Sequence, residues 1–167
     1  MSIDDLNRAA PADLRPRLLA LTAAPAWADA LLARRPYDDL DSVLDTSDEL
    51  VIGLSESQVD AALAGHPRIG GRSAGLDEES ATRSEREQAG MSQADASVQA
   101  AMAQGNADYE ARFGRIYLVA AAGRSADDLL ALLHDRLGND PDVEIGIVRG
   151  ELARITRLRL LELVQPA

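Results

Sequence analysis

Ser125-Ala-Asp-Asp-Leu-Leu-Ala-Leu-Leu-His-Asp-Arg-Leu-Gly138 reads as one complete helix. Ser125 and Asp128 stand at capping-box spacing, where each side chain satisfies the other's backbone N–H. Leu129, Leu130, Leu133 and Leu137 recur at the helical period, and Gly138 stops the run. Segments outward from it are punctuated in the same way. Downstream, Asp140-Pro141 caps a last helix running to about Val164. Gly146 and Gly150 lie inside it, each costing about 1 kcal/mol relative to alanine, and together they predict close packing against another backbone. Upstream, Ile116 to Ala122 is a short apolar run between Gly114 and Gly123, read as a buried extended segment. Before it comes a helix from about Ser92 to Phe113 with Val98, Met102, Tyr109 and Phe113 on its buried stripe. A polar helix precedes that one, from about Asp77 to Ala89.

Nearer the N-terminus the same signals recur. Ser55 and Gln58 form a second capping box, opening a short helix that ends at Gly65. A helix from about Asp38 to Leu54 carries a break near Thr46-Ser47. Pro25 opens a segment placing Trp27, Ala30, Leu31 and Arg34 at helical spacing, and Pro11 opens another; proline costs a helix least at its first position. Residues 66–76 hold one proline and three glycines and form an irregular loop. With 167 residues and no linker or repeat, the expectation is a single domain over 1–167. The fold class is all-α: a bundle of roughly eight helices with one short extended segment near 116–122.

Composition narrows the chemistry. The chain has no cysteine, which removes thiolate nucleophiles, iron–sulfur clusters and Cys-based zinc sites. All 17 basic residues are arginine, so no lysine can form a Schiff base or anchor pyridoxal phosphate. Two histidines, His66 and His134, are too few for a His-rich metal site. An enzyme built from this chain works with hydroxyls, carboxylates, amides, arginines and imidazole, and no cofactor is expected. The net charge of −11 disfavours nucleic acid as a partner. No apolar run approaches the ~20 residues that span a bilayer, so no membrane partner is expected. Met1 to Asp5 lacks the charge and apolar stretch of a signal peptide, and Gln165-Pro166-Ala167 is no peroxisomal address, so the expected location is the cytoplasm.

Several side chains could carry a reaction. Proline pushes its predecessor out of the helical region, so His66 before Pro67 sits extended just beyond a helix end, at the mouth of the glycine-rich loop. That suits a general acid or base; the alternative is a histidine capping the carbonyls of the preceding helix. Ser84, Glu87 and Gln88 stand at i, i+3 and i+4 and share one helix face. They offer a hydroxyl, a carboxylate and an amide, a set able to grip a ring bearing carbonyl and N–H groups. The alternative is a solvated charged face. His134 lies near a helix C-terminus, where solvent or the helix dipole explains it. Arg154, Arg157 and Arg159 are expected solvated or paired, although one could turn its planar fork into a pocket.

The ordered set of motifs is more specific than its members. Arg35-Pro36-Tyr37, His66-Pro67-Arg68-Ile69-Gly70, Ser84-Glu85-Arg86-Glu87-Gln88-Ala89-Gly90, Asn106 with Tyr109 and Phe113-Gly114, and Arg157-Leu158-Arg159-Leu160 follow one another along the chain. Over essentially its whole length the chain resembles the 2-oxo-4-hydroxy-4-carboxy-5-ureidoimidazoline (OHCU) decarboxylase family of uric acid degradation. The resemblance implies a helical-bundle enzyme, usually a homodimer, that decarboxylates OHCU to (S)-allantoin without a cofactor. It implies that His66 is catalytic and that Pro67, Ser84, Glu87 and Gln88 line the substrate pocket. It further implies that Tyr117, Leu118, Val119, Ala120 and Ala121 present backbone groups to the ring, and that Arg159 faces the pocket.

The expected roles follow from the substrate. OHCU carries its own electron sink, the ring C=N beside the carboxylated carbon, so neither pyridoxal phosphate nor a lysine imine is needed. His66 is expected to relay the proton. Glu87 is expected either to orient the imidazole or to hold the ureido N–H groups, and Ser84 and Gln88 to fix the ring. A bidentate grip on the carboxylate would stabilise the ground state more than the transition state. Arg159 is therefore expected to hold a ring or ureido carbonyl. The rival readings are a non-enzymatic helical binding module, or the same fold acting on a related oxidised purine derivative.

Overall fold

The computed structural model describes residues 1–64, 66–70, 82–83, 85–86, 88–92 and 94–164. Among them are nine α-helices and no strand: α1 (Ile3–Arg8), α2 (Pro11–Leu19), α3 (Pro25–Ala33), α4 (Leu40–Ile52), α5 (Glu56–Leu63), α6 (Ala89–Ser92), α7 (Ala96–Phe113), α8 (Ala126–Leu137) and α9 (Pro141–Leu163). Residues 82–83 and 85–86 are helical too; the rest of the expected 77–89 helix lies outside the described residues. The all-α expectation holds. Both capping boxes read from the sequence are formed, at Ser55/Gln58 before α5 and Ser125/Asp128 before α8. The expected helix from Ser92 begins instead at Ala96, because the Asp95 side chain accepts from the Val98 N–H and caps α7 there.

The chain divides into two compact units, Met1–Ala64 with Arg149–Ala167, and Gly65–Val148. In the first, Leu14, Leu18, Trp27, Leu31, Val43, Val51 and Leu152 are almost wholly buried. The expected break in α4 does not occur. Ser47 is fully buried, and its hydroxyl accepts a 3.0 Å hydrogen bond from the Trp27 indole N–H. The polar residue that reads as a breaker is the partner of the core tryptophan. Arg35 donates to the carbonyls of Leu6 and Ala9 at 2.8 Å each, and to Leu32 at 3.1 Å, capping the C-terminal ends of α1 and α3. Asn7 and Tyr37 exchange side-chain-to-backbone hydrogen bonds at 2.8 and 2.9 Å. The Tyr37 phenol donates to the Leu31 carbonyl, and burial pushes its pKa up to about 12.

In the second unit the core is Ile69, Met91, Met102, Tyr109, Tyr117, Val119, Ala121, Leu129 and Leu133. A Cβ added to Gly105 would stand 2.5 Å from Leu133 Cδ2, so the glycine is what lets α7 lie this close to α8. The expected extended segment is present: residues 116–121 are neither helix nor strand, and Tyr117 through Ala121 are all buried. One expectation fails on α9. A Cβ at Gly146 or Gly150 would meet none of the described residues within 4 Å, so neither glycine marks a close backbone approach among them. No helix among the described residues is long and apolar enough to cross a membrane.

Candidate active site

His66 lies just past the end of α5 in irregular backbone, as its proline neighbour requires, and both His66 and Pro67 are half-buried. Three contacts hold the residues that follow. The Arg68 guanidinium grips both oxygens of Glu110 on α7, at 2.5 and 2.8 Å. The Ile69 side chain is buried in the core, and its carbonyl accepts from Asn106 Nδ2 at 2.9 Å. The Gly70 N–H donates to Gln88 Oε1 at 2.9 Å. Gly70 has φ +73°, a conformation glycine adopts without strain, and this turns its N–H into the bond with Gln88. The histidine loop and the Ser84–Gln88 segment are therefore tied together at Gln88. Ser84 and Glu87 lie outside the described residues.

A cavity of about 240 Å³ sits against this loop, lined by Arg68, Ile69, Gly70, Gln99, Asn106 and Glu110 among others. Asn106 is 6% exposed, and its buried Oδ1 has no hydrogen-bond partner among the described residues. Glu110 is held below the usual carboxylate range chiefly by its hydrogen bonds from Arg68; burial opposes this, and the charge of Arg68 adds a smaller lowering effect. Among the described residues no three His, Asp or Glu side chains gather as a metal site would need.

The Tyr117–Ala121 run is anchored by its own side chains and by a buried polar network. Tyr117 packs edge-on against Tyr109 at 5.4 Å, and its hydroxyl donates to the Leu129 carbonyl at 3.2 Å. Arg136 on α8 donates from Nη1 to the Leu118 carbonyl at 2.6 Å. The same guanidinium donates to Glu144 Oε1 from Nε at 2.7 Å, and its carbon lies 4.8 Å from the Tyr117 ring centroid. Tyr109 donates to Glu144 Oε1 at 2.5 Å, and Asn139 to Oε2 at 2.8 Å. Burial opposes the charge on Arg136, but hydrogen bonding and attraction to Glu144 outweigh it and raise its pKa. Burial, then the hydrogen bond to Glu144, pushes the Tyr109 phenol up.

Arg136 and Glu144 were not singled out by sequence reasoning, yet a signal existed. The buried positions of α8 are Leu129, Leu133 and Arg136, spaced by four and three, so the stripe passes through Arg136 where the sequence suggested Leu137. On α9, Glu144 keeps phase with Val148 and Leu152, each spaced by four and each fully buried. A charged residue in phase with an apolar stripe is the mark of a buried pair.

The remaining sequence candidates lie elsewhere. His134 is exposed near the end of α8, as expected of a residue explained by solvent and the helix dipole. In the first unit Arg157 bridges Asp45 and Asp48 at 3.1 and 2.7 Å. Arg159 is 8% exposed and donates to the Leu21 carbonyl at 2.8 Å. Arg154 pairs with Glu151 one turn before it.

Comparison with known proteins agrees with the motif order. The family model described as OHCU decarboxylase matches residues 7–161. The chain is 31% identical over 144 residues to a 2-oxo-4-hydroxy-4-carboxy-5-ureidoimidazoline decarboxylase of Amia calva, covering 84% of this chain and 81% of that protein. It is 35% identical over 104 residues to a uric acid degradation bifunctional protein of Arabidopsis thaliana, covering 61% of this chain and 32% of that one. The fold matches that of a crystal structure of OHCU decarboxylase in the presence of (S)-allantoin, with TM-score 0.74 and 22% identity over 88% of this chain and 96% of that one. By the match over 7–161 and the identity to the Amia calva protein, the chain belongs to the OHCU decarboxylase family.

Proposed function

We propose that the protein decarboxylates OHCU to (S)-allantoin, with His66 as the proton relay and without a cofactor. Family membership supports the reaction. The observation that carries the site is the 2.9 Å hydrogen bond from Gly70 N–H to Gln88 Oε1, which joins the His66 loop to the segment of Ser84, Glu87 and Gln88. With its oxygen committed to the loop, Gln88 offers substrate its two N–H donors, which suit a ring or ureido carbonyl.

Decarboxylation sends the C–C bond electrons into the ring C=N of OHCU and leaves an electron-rich ene. That intermediate must be protonated on one face to give one enantiomer. His66, held half-buried at the loop mouth, delivers the proton, a task in which a positioned acid–base group contributes about 10²–10⁴ in rate. Glu87 orients the imidazole or holds the ureido N–H groups, Ser84 and Gln88 fix the ring, Pro67 lines the pocket, and backbone groups of 117–121 receive the developing charge. One such donor is worth about 10²–10³. Arg159 is assigned to a substrate carbonyl on the family resemblance alone. We further propose a homodimer located in the cytoplasm, the former tested by light scattering.

The reaction is tested by mixing the purified protein with freshly generated OHCU and following its ultraviolet decay with the optical activity of the product. Accelerated decay to a single enantiomer supports the proposal; decay at the uncatalysed rate to an optically inactive product overturns it.

A further inference from the structure

Glu144 is fully buried and Arg136 is 5% exposed, so a full ion pair stands inside the second unit. Desolvation makes such a pair a poor source of stability, and apolar replacements of like volume often fold as well or better. The arrangement of its bonds suggests another use. The 116–121 segment has no helical or strand hydrogen bonds to set its height. Its Leu118 carbonyl is instead held by Arg136 Nη1 at 2.6 Å, while the other edge of that guanidinium is fixed by Glu144 and stacked over Tyr117. Glu144 is itself held by Tyr109 from α7 and by Asn139. The chain of contacts therefore ties α7, α8 and the start of α9 to one backbone carbonyl.

Peptide planarity carries the consequence further. In a trans peptide the C=O and the following N–H point in opposite directions. Drawing the Leu118 carbonyl onto Arg136 turns the Val119 N–H to the far side of the segment. The Val119 N–H makes no hydrogen bond to any described residue, although Val119 is 3% exposed. Buried backbone donors are rarely left so, and one held in place is ready for an acceptor that arrives with a ligand.

We propose that Arg136 and Glu144 are positioning residues for the decarboxylation: through the Leu118 carbonyl they aim the backbone of the 117–121 segment at the substrate. This rests on the assignment of that segment to the substrate pocket. Both residues act through the backbone and neither touches the reacting atoms. Misplacing a donor by about 1 Å can cost about 10²-fold in rate. The loss falls on kcat more than on KM, because the donor meets charge that develops in the transition state.

The test compares the wild-type chain with the triple variant Arg136→Met/Glu144→Leu/Tyr109→Phe, which makes the network apolar at similar volume. Melting temperature, kcat, KM and the optical purity of the allantoin are read together. The proposal expects a melting temperature near that of wild type, a fall in kcat of about 10²-fold, and a product of lower optical purity. Wild-type kcat and optical purity in the folded variant overturn it, as does a kcat loss no larger than the loss of folded protein. If the triple variant does not fold, Arg136→Lys decides. Lysine keeps the charge opposite Glu144, but a single ammonium lacks the rigid fork that reaches both Glu144 and the Leu118 carbonyl. A folded Arg136→Lys protein should lose at least tenfold in kcat, and unchanged kcat there counts against the proposal. Failure of the wild-type chain itself to accelerate OHCU decay sinks the proposed function, a result distinct from active wild type with indifferent variants.

Discussion

The side-chain amide of Asn106 donates a 2.9 Å hydrogen bond to the carbonyl of Ile69, three residues beyond His66. It ties α7 to the loop that carries the candidate catalytic histidine, from a side chain 6% exposed. Replacing Asn106 by Asp removes the amide donor from the Ile69 carbonyl, a change expected to cost about 1–3 kcal/mol. Asn106→Leu should cost less, because it also removes Oδ1, a buried oxygen with no partner among the described residues. Denaturant unfolding of the two variants checks the order, and kcat should fall in both as the loop loosens. An Asn106→Leu protein less stable than Asn106→Asp would contradict this account of the amide.

The second hold on that loop is charged and so depends on pH. Glu110 has its pKa lowered from the usual 4.5, chiefly by hydrogen bonds from Arg68. A depressed carboxylate binds fewer protons when folded, so its contribution is present above the unfolded pKa and is lost as pH falls through the lower folded value. The Arg68 side chain is 58% exposed, which holds the expected contribution to the 0.2–1 kcal/mol typical of solvent-screened pairs. Glu110→Gln should be less stable than wild type by that amount at pH 7. The gap should close as pH falls through and below the ordinary carboxylate range, measured by urea unfolding across pH. A gap that widens toward acid would reverse the sign of the argument.

In the first unit, Ser47→Ala should leave the indole N–H of the fully buried Trp27 with no acceptor. An unsatisfied buried donor costs about 1–3 kcal/mol. Thermal unfolding should place Ser47→Ala below Ser47→Thr, which keeps a hydroxyl at that point. Equal melting temperatures would mean that the hydrogen bond contributes little.

How much of this was legible in the residues depended on whether the information was local. Ser55/Gln58 and Ser125/Asp128 announce their helices because a capping box lies within four residues. The apolar run at 116–122 announced a buried segment because no polar residue interrupts it. The errors came where a residue's meaning is set by a distant partner. Ser47 looked like a helix breaker because its partner Trp27 lies 20 residues earlier. Arg136 and Glu144 drew no attention in the sequence because only folding brings them together with Tyr109. Gly146 and Gly150 suggested a packing contact that is not there among the described residues. For the site, His66-Pro67 was legible as an extended residue just beyond a helix end, at the mouth of the glycine-rich loop. The latches from Asn106, Glu110 and Gln88 were not, since they join points 18 to 42 residues apart.

Chelation offers a further check on the chemistry. With no cysteine, no lysine and two histidines, the chain offers a catalytic metal no thiolate and few imidazoles, and a carbonyl cofactor no side-chain amine. Turnover of OHCU should survive exhaustive treatment with a chelator, and the purified protein should show no cofactor absorbance. Activity lost to the chelator and restored by a divalent ion would contradict the proposed mechanism.

The histidines separate most cleanly. His134 is exposed on α8, and His134→Gln should change kcat little and stability by about 0.5 kcal/mol at most, as for an ordinary surface site. His66→Asn keeps a polar side chain of similar reach but cannot relay a proton near neutral pH. Measured at saturating OHCU, the kcat of His66→Asn should fall at least about 10²-fold with the helical circular dichroism unchanged. A folded His66→Asn protein that turns over OHCU at close to the wild-type rate would show that the proton is delivered from elsewhere.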